Sequence, residues 1–138
     1  FLWKTKRIPN FSKHSQETFI QSHLEESIKQ IEELPLPENI NSISTEKYYL
    51  SLSNICRSFL KKSLYIKATE MTSDELAVHF NLMGVEKELV NSWKIVSKTS
   101  DMAKYAKQIP HIEQFNVDKI NFIKLIKSFH NFKNNTNY

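Results

Sequence analysis

The chain has 138 residues, with one glycine, one cysteine and a formal net charge of +4. One domain is the natural division at this length, large enough to bury roughly two-thirds of its unfolded surface without help from a disulfide or metal. The lone cysteine excludes an intramolecular disulfide, and a single glycine argues against glycine-rich phosphate loops, dinucleotide fingerprints and β folds that turn on glycine.

A hydrophobic fraction of 40% with 25% charged residues of mixed sign suits a globular chain. Positive charge gathers in two places. Tyr48 to Lys67 carries Arg57, Lys61, Lys62 and Lys67, and Asn116 to Tyr138 carries Lys119, Lys124, Lys127 and Lys133 against Asp118. A mild positive field favours nucleic acid, anionic lipid or an acidic protein surface. A lysine-rich solvated surface with no partner is the plainer reading of the same residues.

Phe1-Leu2-Trp3, followed by Lys4, Lys6 and Arg7, has the form of a transmembrane helix end, with aromatics at headgroup level and cations on the cytoplasmic side. A frayed terminus with one docked aromatic would look the same. No stretch reaches the ~18–20 apolar residues needed to span a bilayer, and no initiating Met or signal-peptide core is present. The expectation is a piece or processed product of a longer protein, with residues 1–14 as a juxtamembrane or linker segment.

Ser15 is the expected cap of a first helix whose apolar stripe is Phe19, Ile20, Leu24, Ile28 and Ile31, ended by Pro35 and Pro37. Ser44 or Thr45 is expected to start a second helix. Its wide apolar face of Tyr48, Tyr49, Leu52, Ile55, Cys56, Phe59 and Leu60 makes it the most buried element. Leu64 to Ala68 reads as an extended linker or a frayed helix end.

Thr72-Ser73-Asp74-Glu75 is a capping box. The third helix turns Leu76, Ala77, Phe80 and Met83 inward, and Gly84 is placed as its left-handed terminus with Val85 as the contact behind it. A fourth helix from about Glu86 presents Leu89, Val90, Trp93 and Val96. Thr99-Ser100-Asp101 predicts a break and a new start, with Met102, Tyr105 and Ala106 on one face. Asn116 is the expected cap of a last helix carrying Ile120, Ile123, Leu125, Ile126 and Phe129, and Asn131 to Tyr138 is expected to fray.

The chemistry-bearing residues do not assemble into a motif. No two of His14, His23, His79, His111 and His130 stand four apart, so sequence offers no metal site and no cofactor. Cys56 sits on an apolar face and reads as a small core side chain. The doublets Glu25-Glu26 and Glu32-Glu33 diverge by about 100° on a helix and read as solvated acids. Asp101 and Tyr105 share a face, most simply as a cap beside a packed ring. Residues 73–96 have a helix, a turn with glycine and a second helix, which raises a helix-turn-helix. Glu86 and Glu88 would face phosphate, and Leu89, Val90 and Trp93 point inward, so nucleic-acid binding stands only as the alternative.

Thr72-x-x-Glu75-Leu76, Gly84-Val85, Leu89-Val90 and Asp101-x-x-x-Tyr105-Ala106 resemble the cytoplasmic tail domain of BatD-type proteins, of the Bacteroides aerotolerance group. The resemblance covers about Tyr48 to Gln108; the first helix and the Asn-rich tail lie outside it. It implies a small helical domain following one transmembrane helix at the cytoplasmic side of the inner membrane. It also implies a von Willebrand factor A (vWA) domain protein or a MoxR-type AAA ATPase as partner. Nothing in its motif is catalytic, so no active site is implied.

The expectation is therefore an all-α, irregular bundle of about five to six helices without significant sheet, spanning 15–132, with 133–138 a frayed polar tail. Its function would be non-enzymatic docking of a protein, with an anionic membrane surface as a further contact. The candidate interaction surface is Arg57, Lys61 and Lys62 with Lys119, Lys124 and Lys127.

Overall fold

The computed structural model describes residues 13–105 and 109–136, with side chains in the first helix described from Gln21 onward. It is all-helical. Five α-helices, α1 (Lys13–Glu32), α2 (Ser42–Leu64), α3 (Ser73–Leu82), α4 (Lys87–Tyr105) and α5 (Ile112–Thr136), are joined with one 3-10 turn at Ala68–Glu70. No strand occurs among the described residues.

The ends of these helices follow from local chemistry. α1 covers Lys13 and His14 and so begins before Ser15; it closes as the Glu33 amide bonds the Lys29 carbonyl at 2.9 Å, with Pro35 beyond. The cap of α2 is Asn41 rather than Ser44 or Thr45. The Asn41 side chain accepts from the Ser44 amide at 2.9 Å, and the Ser44 hydroxyl accepts from the Asn41 amide at 3.0 Å. Ser44 thus serves as the third residue of a capping box, with its hydroxyl in the place a Glu or Gln usually takes. Where an extended linker or a frayed helix end was expected, α2 runs to Leu64 and Tyr65 caps it in the left-handed conformation (φ 57°), bonding the Lys61 carbonyl.

The α3 box forms as its sequence requires, with the Glu75 amide 3.1 Å from Thr72 Oγ1 and the Thr72 amide 2.8 Å from Glu75 Oε1. Gly84 has φ +82°, and the Val85 amide bonds the Phe80 carbonyl at 3.0 Å, the long closing bond of a Schellman terminus.

Two expectations about the second half are corrected. α4 runs unbroken through Thr99, Ser100 and Asp101. Two of the polar groups there are used elsewhere: Thr99 Oγ1 donates to the Ile95 carbonyl, and Asp101 is held by side chains of two helices. α5 begins at Ile112 rather than at Asn116 and continues to Thr136. Phe132 and Lys133 near its end are buried, and residues 134–136 are exposed.

α2 packs against α1, α4 and α5, and the deepest side chains gather around it. It runs parallel to α5, since Tyr49 meets Asp118 near one end and Tyr65 meets Lys133 at the other. α1 is antiparallel to both, with Glu26 facing Lys62 and its last carbonyls reaching Lys119. α4 is antiparallel to α2, with Trp93 beside Arg57 and Lys104 beside Ser53. Phe80 locks α3 to the rest, edge-on to Trp93 at 5.6 Å and 4.6 Å from Phe129. Burying one such ring contributes roughly 1.5–3 kcal/mol.

Candidate interaction surfaces

Three features of the bundle carry polar or exposed side chains that could act on something else. The first is a part-buried cluster where α2, α3 and α4 meet. Ser73 accepts from Arg57 Nη2 at 3.0 Å and donates to Asp101 Oδ2 at 2.7 Å, while its carbonyl receives Trp93 Nε1 at 2.9 Å. Asp101 pairs with Lys104 at 3.1 Å, and Lys104 reaches back to Ser53 at 3.4 Å. Arg57 also donates to Ser53, and its guanidinium lies 5.4 Å from the Trp93 ring centre. A serine beside a lysine invites a nucleophile–base reading. The geometry opposes it, because Ser53 is only 2% exposed and accepts from two cations. A hydroxyl so placed holds helices together.

A second buried cluster joins the two longest helices. Asp118 accepts from Tyr49 and, at 2.8 Å, from Gln114 Nε2. Tyr48, Tyr49 and Phe115 pack edge-on or tilted against one another beside it, with ring centres 5.1–5.6 Å apart. Burial, then the negative Asp118, pushes the Tyr48 phenol up to about 12, and the Tyr49 phenol moves the same way. Cys56 is fully buried, which raises its thiol to about 12 and removes the thiolate a nucleophile or metal ligand needs. Among the described residues no three His, Cys, Asp or Glu side chains converge as a metal site.

The third feature is on the surface. Ten of the fourteen exposed large apolar side chains among the described residues fall in the segments 36–50, 102–112 and 117–120. These segments meet at one end of the bundle: the α1–α2 connection, the start of α2, the close of α4 and the start of α5. Ile43 is 72% exposed and Tyr105 75%, so the expected packed ring at Tyr105 is instead presented to solvent. Beside Tyr105 and Met102, an open depression of about 760 Å³ runs along α4 to the start of α3, rimmed by Lys94 and Lys98.

The basic residues expected to form one surface have separate uses. Arg57 is half-buried in the polar cluster between α2, α3 and α4. Lys119 bonds the Glu32 and Leu34 carbonyls at 3.1 and 3.3 Å, closing the C-terminus of α1. Lys61 is exposed, and Lys62 faces Glu26 at 3.8 Å with both side chains more than half exposed, a pair of little energetic weight. Lys124 and Lys127 alone share an exposed face of α5. Sequence reasoning missed the exposed apolar end, because Ile43, Ile112 and Val117 look like any helix-forming residues until the ends are brought together. The signal available was Tyr105 beside Met102, an apolar pair on a helix whose inward face was already filled by Leu89, Val90 and Trp93.

Among the described residues the fold is an all-α domain of five packed helices, with exposed apolar side chains concentrated toward one end. No family model, no characterised protein and no solved structure matches the chain. No helix among the described residues is long and apolar enough to cross a membrane.

Proposed function

We propose that this chain is a non-enzymatic protein-interaction domain that docks through the end of the bundle built from the α1–α2 connection, the close of α4 and the start of α5. The observation that carries this reading is the concentration of exposed apolar side chains there. Exposed apolar side chains that gather in one region mark interaction sites more often than ones scattered singly. The resemblance to BatD-type tails suggests the setting: a domain held at the cytoplasmic side of the inner membrane, with a vWA-domain protein or a MoxR-type AAA ATPase as partner. α1 starts at the opposite end of the bundle from the apolar surface, so a tether before it would leave that surface directed away from lipid. Lys61, Lys62, Lys124 and Lys127 remain as contacts for an anionic bilayer.

Photo-crosslinkers at Ile43, Tyr105, Val78 and Lys61 in the native host test this. Discrete protein adducts at Ile43 and Tyr105, and none at Val78 or Lys61, are expected. Equal labelling at all four, or no adduct anywhere, would remove the reading. Flotation with anionic vesicles, compared with Lys61/Lys62→Glu, tests the lipid contact separately; equal recovery with neutral lipid rejects it.

One observation favours a second reading. The outward face of α4 presents Lys87, Asn91, Lys94 and Lys98 at helical spacing, all exposed. As the second helix after the Gly84 turn, α4 is the element a helix-turn-helix would place in the major groove. A duplex gel shift at low salt decides it, with a steep loss of binding as salt rises if DNA is the ligand. No shift discards it.

A further inference from the structure

We infer that Asp118, Thr45 and Tyr48 bind a monovalent alkali cation, sodium or potassium, between α2 and α5. The site goes beyond the docking reading and stands without it. Asp118 is a carboxylate only 5% exposed, and among the described residues no lysine, arginine or histidine pairs with it. Its neighbour in sequence, Lys119, is turned to the carbonyls that end α1. The donors Asp118 does have, the Tyr49 phenol and the Gln114 amide, are neutral. They supply one hydrogen bond to each carboxylate oxygen and leave the charge without a counterion. Buried charges are paired or bound to metal ions, because an isolated carboxylate is costly to take out of water.

A second observation points to the same place. Thr45 and Tyr48 are 1% and 3% exposed, and both hydroxyls are buried with no hydrogen-bond partner. Buried hydroxyls nearly always have one. Thr45, Tyr48 and Tyr49 share the buried face of α2, with the two tyrosines a turn beyond the threonine. Long side chains on a helix lean toward its N-terminus, so both rings lean back over the turn that carries Thr45. Tyr49 there reaches Asp118, the Tyr48 ring packs on Tyr49 and Phe115, and the negative Asp118 acts on the Tyr48 phenol. One carboxylate with neutral hydroxyls is a hard, all-oxygen donor set with a single negative charge. It balances one positive charge, and it lacks the nitrogen, sulfur or further carboxylates that transition metals and calcium take. Gln114, exposed and bonded to the carboxylate, links the site to solvent.

Urea unfolding of the chain at equal ionic strength in sodium, potassium and tetramethylammonium chloride tests the inference, the last cation being too large to enter. Sodium or potassium at about ten times its dissociation constant should raise the folding equilibrium constant about 11-fold over tetramethylammonium. The rise should saturate, as binding to a site does and screening does not. Asp118→Asn, close in shape, should abolish it. Thr45→Val and Tyr48→Phe should reduce it. In tetramethylammonium both should be at least as stable as the parent, because a buried hydroxyl without a partner does not support the fold. Should Asp118→Asn fail to fold, these two variants decide the matter. Thallium(I), soaked into crystals in place of potassium, should give an anomalous peak beside Asp118. Equal unfolding in the three salts overturns the inference and leaves an ordered water as what joins these hydroxyls. An alkali-ion response that survives Asp118→Asn, one unchanged by Thr45→Val and Tyr48→Phe, or thallium found only at surface acids overturns it too.

Discussion

Tyr49 on α2 donates its phenolic hydrogen to Asp118 on α5, and the same carboxylate receives Gln114 from one turn earlier. The contact sets the parallel alignment of the two longest helices at the end where the exposed apolar side chains gather. Tyr49→Phe removes the one donor that reaches Asp118 from another helix and should cost about 2 kcal/mol in urea unfolding. Tyr49→Phe with Asp118→Leu should recover part of that loss, because replacing both partners of a buried polar pair avoids a stranded charge. A single variant within 0.5 kcal/mol of the parent, as is typical of about that size for inert surface changes, would show the contact to be dispensable.

Asp101→Asn breaks the ion pair with Lys104, whose side chain is 7% exposed. Complete loss of a partner in a buried pair costs ~3–5 kcal/mol. Asp101 itself is 35% exposed, so water can partly replace it and a loss of about 2 kcal/mol is expected. Ser73→Ala should cost about 1 kcal/mol, because it removes the hydroxyl between Arg57 and Asp101 while the carbonyl that receives Trp93 remains. Thermal or urea unfolding reads both; a Ser73→Ala loss exceeding that of Asp101→Asn would contradict the assignment of the charge pair as the stronger element.

Lys119, Lys124 and Lys127 look alike in sequence and should behave differently. Lys119→Ala removes two bonds to the last carbonyls of α1 and should destabilise by about 1 kcal/mol. Lys124→Ala and Lys127→Ala, both exposed, should stay within about 0.5 kcal/mol. Three equal values in chemical denaturation would refute the distinction.

Stability should be highest between about pH 6.5 and 9. Burial lowers the folded-state values of His130 and His23 below 6.5, the latter helped by Lys62 and opposed by Glu26. The unfolded chain then takes up protons first as pH falls, so the stabilisation present above 6.5 is lost on acidification. On the alkaline side, burial raises Cys56 from 9.0, and Tyr48 from 10.0, to about 12. Here the folded chain keeps protons that the unfolded chain gives up, so stability falls as pH rises through 9 to 12, by about 1.4 kcal/mol per unit for each such proton. Urea midpoints across pH should show both shoulders. His130→Leu should soften the acid one, and Cys56→Ala the part between pH 9 and 10; unchanged slopes would reject these assignments.

Much of the fold was legible because local chemistry decided it. Thr72 and Glu75 cap α3 as a box, Gly84 takes the left-handed terminus, and Leu24, Leu52, Phe80 and Trp93 face inward at the spacing read from sequence. The errors came where a polar residue had two outlets. Thr99, Ser100 and Asp101 look like a helix start in isolation, yet the Thr99 hydroxyl bonds back along α4 and Asp101 pairs with Lys104 on the same helix and with Ser73 on α3, so the helix continues. Asn116 looks like a cap, yet α5 already begins at Ile112.

Sequence by itself determined the helical class, both ends of α3 and most of the inward positions of α2 and α3, because hydrogen bonds within four residues and a period of 3.6 are local properties. Only the tertiary structure decided which ends of the helices meet. That pairing spends Lys119 and Arg57 on the bundle's own carbonyls and hydroxyls, and buries Asp118 beneath Tyr49. It also brings Ile43 and Tyr105, 62 positions apart in the numbering (105 − 43), to the same exposed end. A lysine's availability and an apolar patch's size depend on neighbours far away in the chain, and no local pattern encodes them.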